Sequence, residues 1–238
     1  MAQDLTNPYR HRRARLARQY RSLVGRVAAL FVLLWLTMLL SGCNVIAWGA
    51  QAARGEEDAP VPVAAQYTDL VDRRVAVMVS ADEFTLFRFP RATSRVGQAV
   101  SNGIVANVEG AAVSLPSQVD EFQRGNPYWI TTRPSRLIDR LGVDRLVVID
   151  LHEYRTHEAG NANVWRGVVD ATVSVYEADG EDPDNRTFEA QVRAEYPEGS
   201  QFGLVSQTAD EAKIEAAVLR VFALRAGGLF YDHEDTPR

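Results

Sequence analysis

Residues 164–176 read Val164-Trp165-Arg166-Gly167-Val168-Val169-Asp170-Ala171-Thr172-Val173-Ser174-Val175-Tyr176. Counted by twos, the run sorts into two sets. Trp165, Val169, Ala171, Val173 and Val175 form an apolar set; Arg166, Asp170, Thr172, Ser174 and Tyr176 form a polar one. Side chains of a strand alternate between the faces of a sheet. The run therefore predicts a strand with one covered face and one wet face. Residues 187–196 repeat the pattern: Phe188, Ala190, Val192 and Ala194 oppose Thr187, Glu189, Gln191, Arg193 and Glu195. Alternation of this kind points to an antiparallel edge of a sheet whose helices lie on one side only.

The chain upstream alternates between strand and helix signals. Arg74 to Val79 is a compact apolar run, expected as a buried strand. Ser94 can cap a helix of some fourteen residues in which Val96, Val100, Ile104 and Val108 recur every four positions. Ala111–Leu115 is a short strand ended by Pro116. Pro134 and Gly142 suit the two ends of a helix, and Arg145–Tyr154 is the next strand. Thr208 and Glu211 have the spacing of a capping box, opening a last helix that Gly227-Gly228 stops. The order is β-α-β-α-β-β-β-α. It predicts an α/β two-layer sandwich, a mixed five-stranded sheet with helices on one face. Residues 67–238 form that single domain, of a size that buries a self-sufficient core.

The N-terminal part is unlike the rest. The chain has 238 residues and a formal charge of −5. Residues 1–42 carry seven Arg against Asp4, or +6, so residues 43–238 carry −11. Such asymmetry marks a targeting segment. Val27–Leu40 is an uncharged apolar run of fourteen residues, short for a membrane span. A basic stretch followed by a short apolar run is the layout of an export signal. It ends in Leu40-Ser41-Gly42-Cys43, which resembles the lipobox of bacterial lipoproteins. That resemblance implies that Cys43, the one cysteine, takes a diacylglycerol and that residues 1–42 are removed as a signal peptide. The other reading keeps residues 27–50 as an uncleaved anchor. Either way the acidic body lies outside the inner membrane. Asn44, where an Asp would favour inner-membrane retention by resemblance, points to the outer membrane. Residues 43–66, rich in Ala, Pro and acid, are expected as a lipidated tether.

The opening strand Arg74–Val79, the step Leu141-Gly142-Val143-Asp144-Arg145-Leu146-Val147-Val148 and the hairpin from Val164 to Gly180 resemble one periplasmic α/β domain. It is shared by the TolB N-terminal region, the curli secretion lipoprotein CsgG and the penicillin-binding-protein activator LpoB. The resemblance spans about residues 67–230 and implies an accessory role in the cell envelope, without implying a particular partner.

Chemical motifs are sparse. His152-Glu153-Tyr154-Arg155-Thr156-His157 is one residue too long for a zinc H-E-x-x-H, and its two histidines have opposite strand parity. No metal is expected. A single Lys, Lys213, excludes a Walker A loop, and no dinucleotide or nucleophile-elbow motif is present, so no cofactor is expected. The acidic domain argues against a nucleic-acid partner. Two candidate surfaces remain. By parity, Asp150, His152, Tyr154, Arg166 and Asp170 share the wet face; a polar ligand or acid-base chemistry would use it, and a plain solvated face would look the same. Phe84, Phe87, Phe89, Tyr128 and Trp129 lie in segments following the first two strands, at the sheet end where binding loops gather. They suit a partner interface, or a cap over the core. The reading is a non-enzymatic, membrane-anchored accessory or binding module for a protein or cell-wall partner. A ligand-binding sensor or a hydrolase using Asp150 and His152 stands beside it.

Overall fold

The computed structural model describes residues 61–199, 203–205 and 210–235. The leader, Cys43 and most of the expected tether lie outside those residues. The elements are β1 (Val61–Val63), β2 (Arg74–Ala81), α1 (Glu83–Arg88), α2 (Ala92–Asn107), β3 (Ala112–Val113), α3 (Pro116–Gly125), α4 (Pro134–Leu141), β4 (Arg145–Glu158), β5 (Asn161–Glu177), β6 (Phe188–Tyr196), β7 (Leu204–Val205), α5 (Glu211–Gly227) and β8 (His233–Asp235). The main sheet runs β3-β2-β4-β5-β6, with β7 added to β5. β2 is parallel to β3 and β4, whereas β4, β5 and β6 are antiparallel. The mixed five-stranded α/β sheet of the sequence reading is present.

The helices, however, lie on both faces. Val75, Val77 and Val79 pack with α2 and α5 in one core that also holds Val96, Val100, Ile104, Phe222 and the inward residues of β4 to β6. Ala76 and Met78 point the other way, into a second core with Val119, Trp129, Leu137, Ile138 and Leu146. α3 and α4 thus cover the parallel half of the second face. The unbroken apolar run at 75–79 is what burial on both faces requires of a parallel strand. β5 and β6 alternate because their second face carries polar and charged side chains in place of a packed helix among the described residues.

Local signals set the helix ends. Asp82 Oδ1 accepts from Thr85 N at 2.6 Å and caps α1; Asp210 Oδ1 accepts from Lys213 N at 2.9 Å and caps α5. The expected capping residue Thr208 lies outside the described residues. Pro116 and Pro134 begin α3 and α4. Gly142 ends α4 with φ 65°, a left-handed conformation that glycine adopts without a Cβ penalty.

Two further departures matter. Val61–Val63, expected within the tether, pairs with His233–Asp235, and Gln66 and Tyr67 donate backbone hydrogen bonds to Leu229 O at 2.9 and 3.0 Å. Residues 61–66 therefore belong to the folded domain. In addition, the β4–β5 register slips between Leu151 and Glu153, which pair with the adjacent residues Ala171 and Asp170. One extra residue in β4, a β-bulge, reverses parity beyond it. That single slip moves Tyr154 from the expected wet face into the main core, where it is 6% exposed.

Candidate functional site

The boundary between the covered and uncovered halves of the second sheet face is a groove of about 860 Å³. Its floor follows from register. Ser80, Asp150 and Thr172 lie abreast on β2, β4 and β5, and one step along the strands Val148, Ser174 and Glu189 lie abreast on β4, β5 and β6. Ile130, Pro134 and Leu137 form the helical wall, and the β5–β6 connection with Asp184 and Arg186 forms the opposite one. Asp184 Oδ1 accepts from Ser135 N at 3.0 Å, tying that connection to the first turn of α4. Hydrogen bonding from the Ser135 side chain, then from its backbone N–H, holds the Asp184 carboxyl below its ordinary value.

Small polar side chains make the floor. Ser80 Oγ donates to Asp150 Oδ1 at 2.7 Å, and His152 Nε2 shares a hydrogen bond with Thr172 Oγ1 at 2.7 Å. Asp150 and His152 are exposed; Thr172 is half-buried and Ser174 buried. Arg186 pairs with Glu189 on the hairpin side.

Beyond the groove the same face carries an ion-pair mat. Arg193 reaches Asp170, Glu153 and Glu195, each at 2.9 Å; Arg166 reaches Glu195 at 2.6 Å and Glu158 at 3.1 Å. Arg166, then Arg193, hold the Glu195 carboxyl below its ordinary value. Burial raises Asp170, but hydrogen bonds from Gln191 and Arg193 outweigh it and leave that carboxyl lowered. Val168, on this face by parity, is fully buried.

The five residues expected to share the polar face thus divide. Asp150 and His152 line the groove. Arg166 and Asp170 belong to the mat. Tyr154 is in the core on the opposite face, where its hydroxyl donates to Glu215 Oε1 at 2.8 Å; burial, then this bond, push the phenol up. His152 bonds Thr172, whereas His157 stacks on Trp165 at 4.0 Å between ring centroids. The two histidines therefore do not converge. Sequence parity had already grouped Thr172, Ser174 and Tyr176 with the polar face, yet only the position of α4 reveals that they line a groove.

The aromatic set also divides. Phe84, Phe87 and Tyr128 are 72%, 85% and 81% exposed. Phe89 packs edge-on against Tyr154 at 4.9 Å, and Trp129 is 8% exposed within the second core. Phe84 and Phe87 lie on α1, which Asp82 caps and Phe89 ends; Trp129 opens a 3-10 turn, Trp129–Thr131, that follows α3. Leu86 and Ile130, which the sequence did not single out, line a second cleft of about 310 Å³. Ser80, Ala81, Trp129 and Ile130 border both cavities, so groove and cleft form one continuous surface where β2 ends.

No family model and no curated protein matches the chain. Among solved structures it is similar to the PelC dodecamer of Paraburkholderia phytofirmans, at 10% identity over 71% of this chain and 96% of that one, with a TM-score of 0.41. It is also similar to lipoprotein GNA1162 of Neisseria meningitidis, at 13% identity over 61% and 92% of the two chains, TM-score 0.41. A third likeness is protein XCC0632 of Xanthomonas campestris, at 12% identity over 71% and 86%, TM-score 0.40. None of the three is the TolB, CsgG or LpoB domain that the hairpin and the helix–strand step resemble.

Proposed function

We propose that this chain is a lipid-anchored envelope lipoprotein whose domain binds a protein or cell-wall partner without catalysing a reaction. The observation that carries the reading is Leu40-Ser41-Gly42-Cys43 at the end of a fourteen-residue apolar run behind seven Arg. Lipid on Cys43 confines the domain to a surface and raises its effective concentration near a membrane-bound partner. The mature part faces the periplasm, and Asn44 favours the outer membrane.

The layout of the domain supports this use. Residues 66–69 lie where the parallel strands begin, since Gln66 bonds to Leu229 and Arg145 Nε donates to Asp69 O at 3.1 Å. The groove mouth and the aromatic rim lie at the other end of β2. The chain therefore enters at one end and offers its open surface at the other. Seventeen residues separate Cys43 from Val61, a reach of at most about 60 Å at ~3.3–3.6 Å per residue. Asp150 and His152 border the groove but make no hydrogen bond to one another, and Arg166 is engaged in the mat. That arrangement favours binding over acid-base catalysis.

The test is Cys43→Ser in cells fed radiolabelled palmitate. Label in the wild-type envelope fraction and its loss in the variant are expected. Equal labelling of both chains overturns the anchor.

A further inference from the structure

We propose that the surface formed by α1 and residues 128–130 docks on an anionic phospholipid bilayer, the one that carries the chain's own lipid. This rests on the anchor proposed above for its access to a bilayer. It leaves the groove and the open sheet face to the protein or cell-wall partner.

Two segments make this surface, both fixed to the end of β2. Phe84 and Phe87 stand three residues apart on α1, which follows β2 directly. Tyr128 precedes the turn Trp129–Thr131, which the buried Trp129 roots in the second core. Gln123 Nε2 donates to Val79 O at 3.0 Å and ties α3 to the same strand. Leu86 and Ile130, both exposed, line the cleft between the two segments. Phe84, Phe87 and Tyr128 are the exposed aromatic side chains among the described residues, and all three lie here.

Charge is sorted in the same way. The body carries −11, yet residues 84–95 and 122–138 hold six Arg and no acid. Arg88, Arg91 and Arg124 are exposed and form no ion pair among the described residues. Arg88 lies over the Phe89 ring at 5.7 Å, and Arg124 donates to Asp120 O at 3.2 Å. Arg124 and Pro90 line the cleft, and Pro90, Arg88 and Arg91 line the hollow beside it. Of the acids at the edges, Asp82 is spent as the α1 cap and Asp120 borders the cleft, while Glu83 and Glu121 are exposed.

Exposed apolar groups of this size mark a protein or a membrane contact. Aromatic rings set among unpaired arginines match the membrane interface, where rings sit at headgroup level and arginines meet anionic lipid. An acidic protein is met by diffusion, whereas the bilayer stays within the tether at all times. The geometry permits it. β2 has eight residues, or about 26 Å at ~3.3 Å each. The tether reaches about 60 Å, enough to run back beside the domain and let this end meet the bilayer that holds Cys43.

The experiment reconstitutes the full-length lipoprotein, extracted from envelopes, into vesicles of phosphatidylethanolamine and phosphatidylglycerol. With Cys43 blocked by lipid, Phe87→Cys carries the one free thiol, which takes an aromatic fluorophore in place of the phenyl ring. Val71→Cys, exposed before β2 begins, carries it in the control. Nitroxide-bearing lipids are expected to quench the label at 87 and to leave that at 71 unquenched. Arg88→Glu, Arg91→Glu and Arg124→Glu together are expected to abolish the quenching, since each Arg near an anionic surface is worth about fivefold in binding; the three Lys variants keep it. Circular dichroism melts confirm the fold. If the triple Glu variant fails to fold, Phe84→Ser decides, and it is expected to weaken the quenching. Equal quenching at 87 and 71, or quenching that survives reversal of the arginines, overturns the proposal. A label at 87 that is open in vesicles and shielded in whole envelopes overturns it in favour of a protein partner. A blocked Cys43 with no quenching at 87 removes the bilayer contact alone. A wild-type chain whose Cys43 takes the label removes the anchor, and the contact with it.

Discussion

Trp129 and Tyr128 are adjacent, and the fold predicts opposite consequences for losing them. Trp129 is 8% exposed and packs among Ala76, Met78, Val119, Leu137, Ile138 and Leu146, whereas Tyr128 is 81% exposed. Truncating a buried Trp to Ala removes its transfer energy and leaves a cavity, at a cost of about 3–5 kcal/mol. An exposed substitution away from caps and ion pairs stays within about 0.5 kcal/mol. For a domain of this size 1 kcal/mol moves the melting temperature by roughly 2–4 °C. Trp129→Ala is therefore expected to lower it by roughly 6–20 °C, and Tyr128→Ala by no more than about 2 °C. Urea unfolding followed by far-ultraviolet circular dichroism measures both without relying on the deleted indole. The sequence alone grouped the two residues, as a partner interface or as a cap over the core. Equal losses in the two variants, or a loss under about 1 kcal/mol for Trp129→Ala, would refute a second core beneath the groove.

Further outcomes follow from other contacts. A Cβ at Gly167 would lie 2.7 Å from Val218 Cβ and 3.2 Å from Ile214 Cγ2, so Gly167→Val is expected to cost about 1–3 kcal/mol by overpacking. Val218→Ala in the same chain recovers part of that loss in a double-mutant cycle, and strict additivity would place α5 elsewhere. Tyr154→Phe removes the hydrogen bond to Glu215 and should cost about 1–3 kcal/mol in urea unfolding; a neutral result contradicts the register slip. The Glu195 and Asp170 carboxyls sit below their ordinary values. Their contribution to stability is then present above the unfolded carboxylate value of about 4 and lost as pH falls through the lower folded one. Stability should be level from about pH 7 to 5 and drop in acid. Arg193→Met should make that acid drop shallower, and an unchanged acid limb would show that the mat contributes nothing.

Much of this architecture was legible because burial leaves a period. The alternation from Val164 to Tyr176 and from Thr187 to Tyr196 records a half-covered sheet, and the run at 75–79 records one covered twice. What the sequence concealed has local causes. The slip at His152 inserts one residue and leaves no compositional trace, so parity misplaced Tyr154. α3 lies in a polar stretch whose one fully buried residue is Val119, and helices that bury a single narrow stripe read as loops. Exposure of Phe84, Phe87 and Tyr128 against the deeper placement of Phe89 and Trp129 depends on where each sits in or beside a short helix, Phe89 just after α1 and Trp129 at the start of a 3-10 turn. Residues of the groove were visible as a polar set, but their function as a floor depends on α4 standing beside them.

The central claim is that Cys43 fixes this domain to a membrane. Intact mass spectrometry of the protein extracted from envelopes tests it most directly. The expected species begins at Cys43 and carries the mass of a diacylglyceryl group, with residues 1–42 gone. A chain that still begins at Met1 with an unmodified Cys43 would contradict the account.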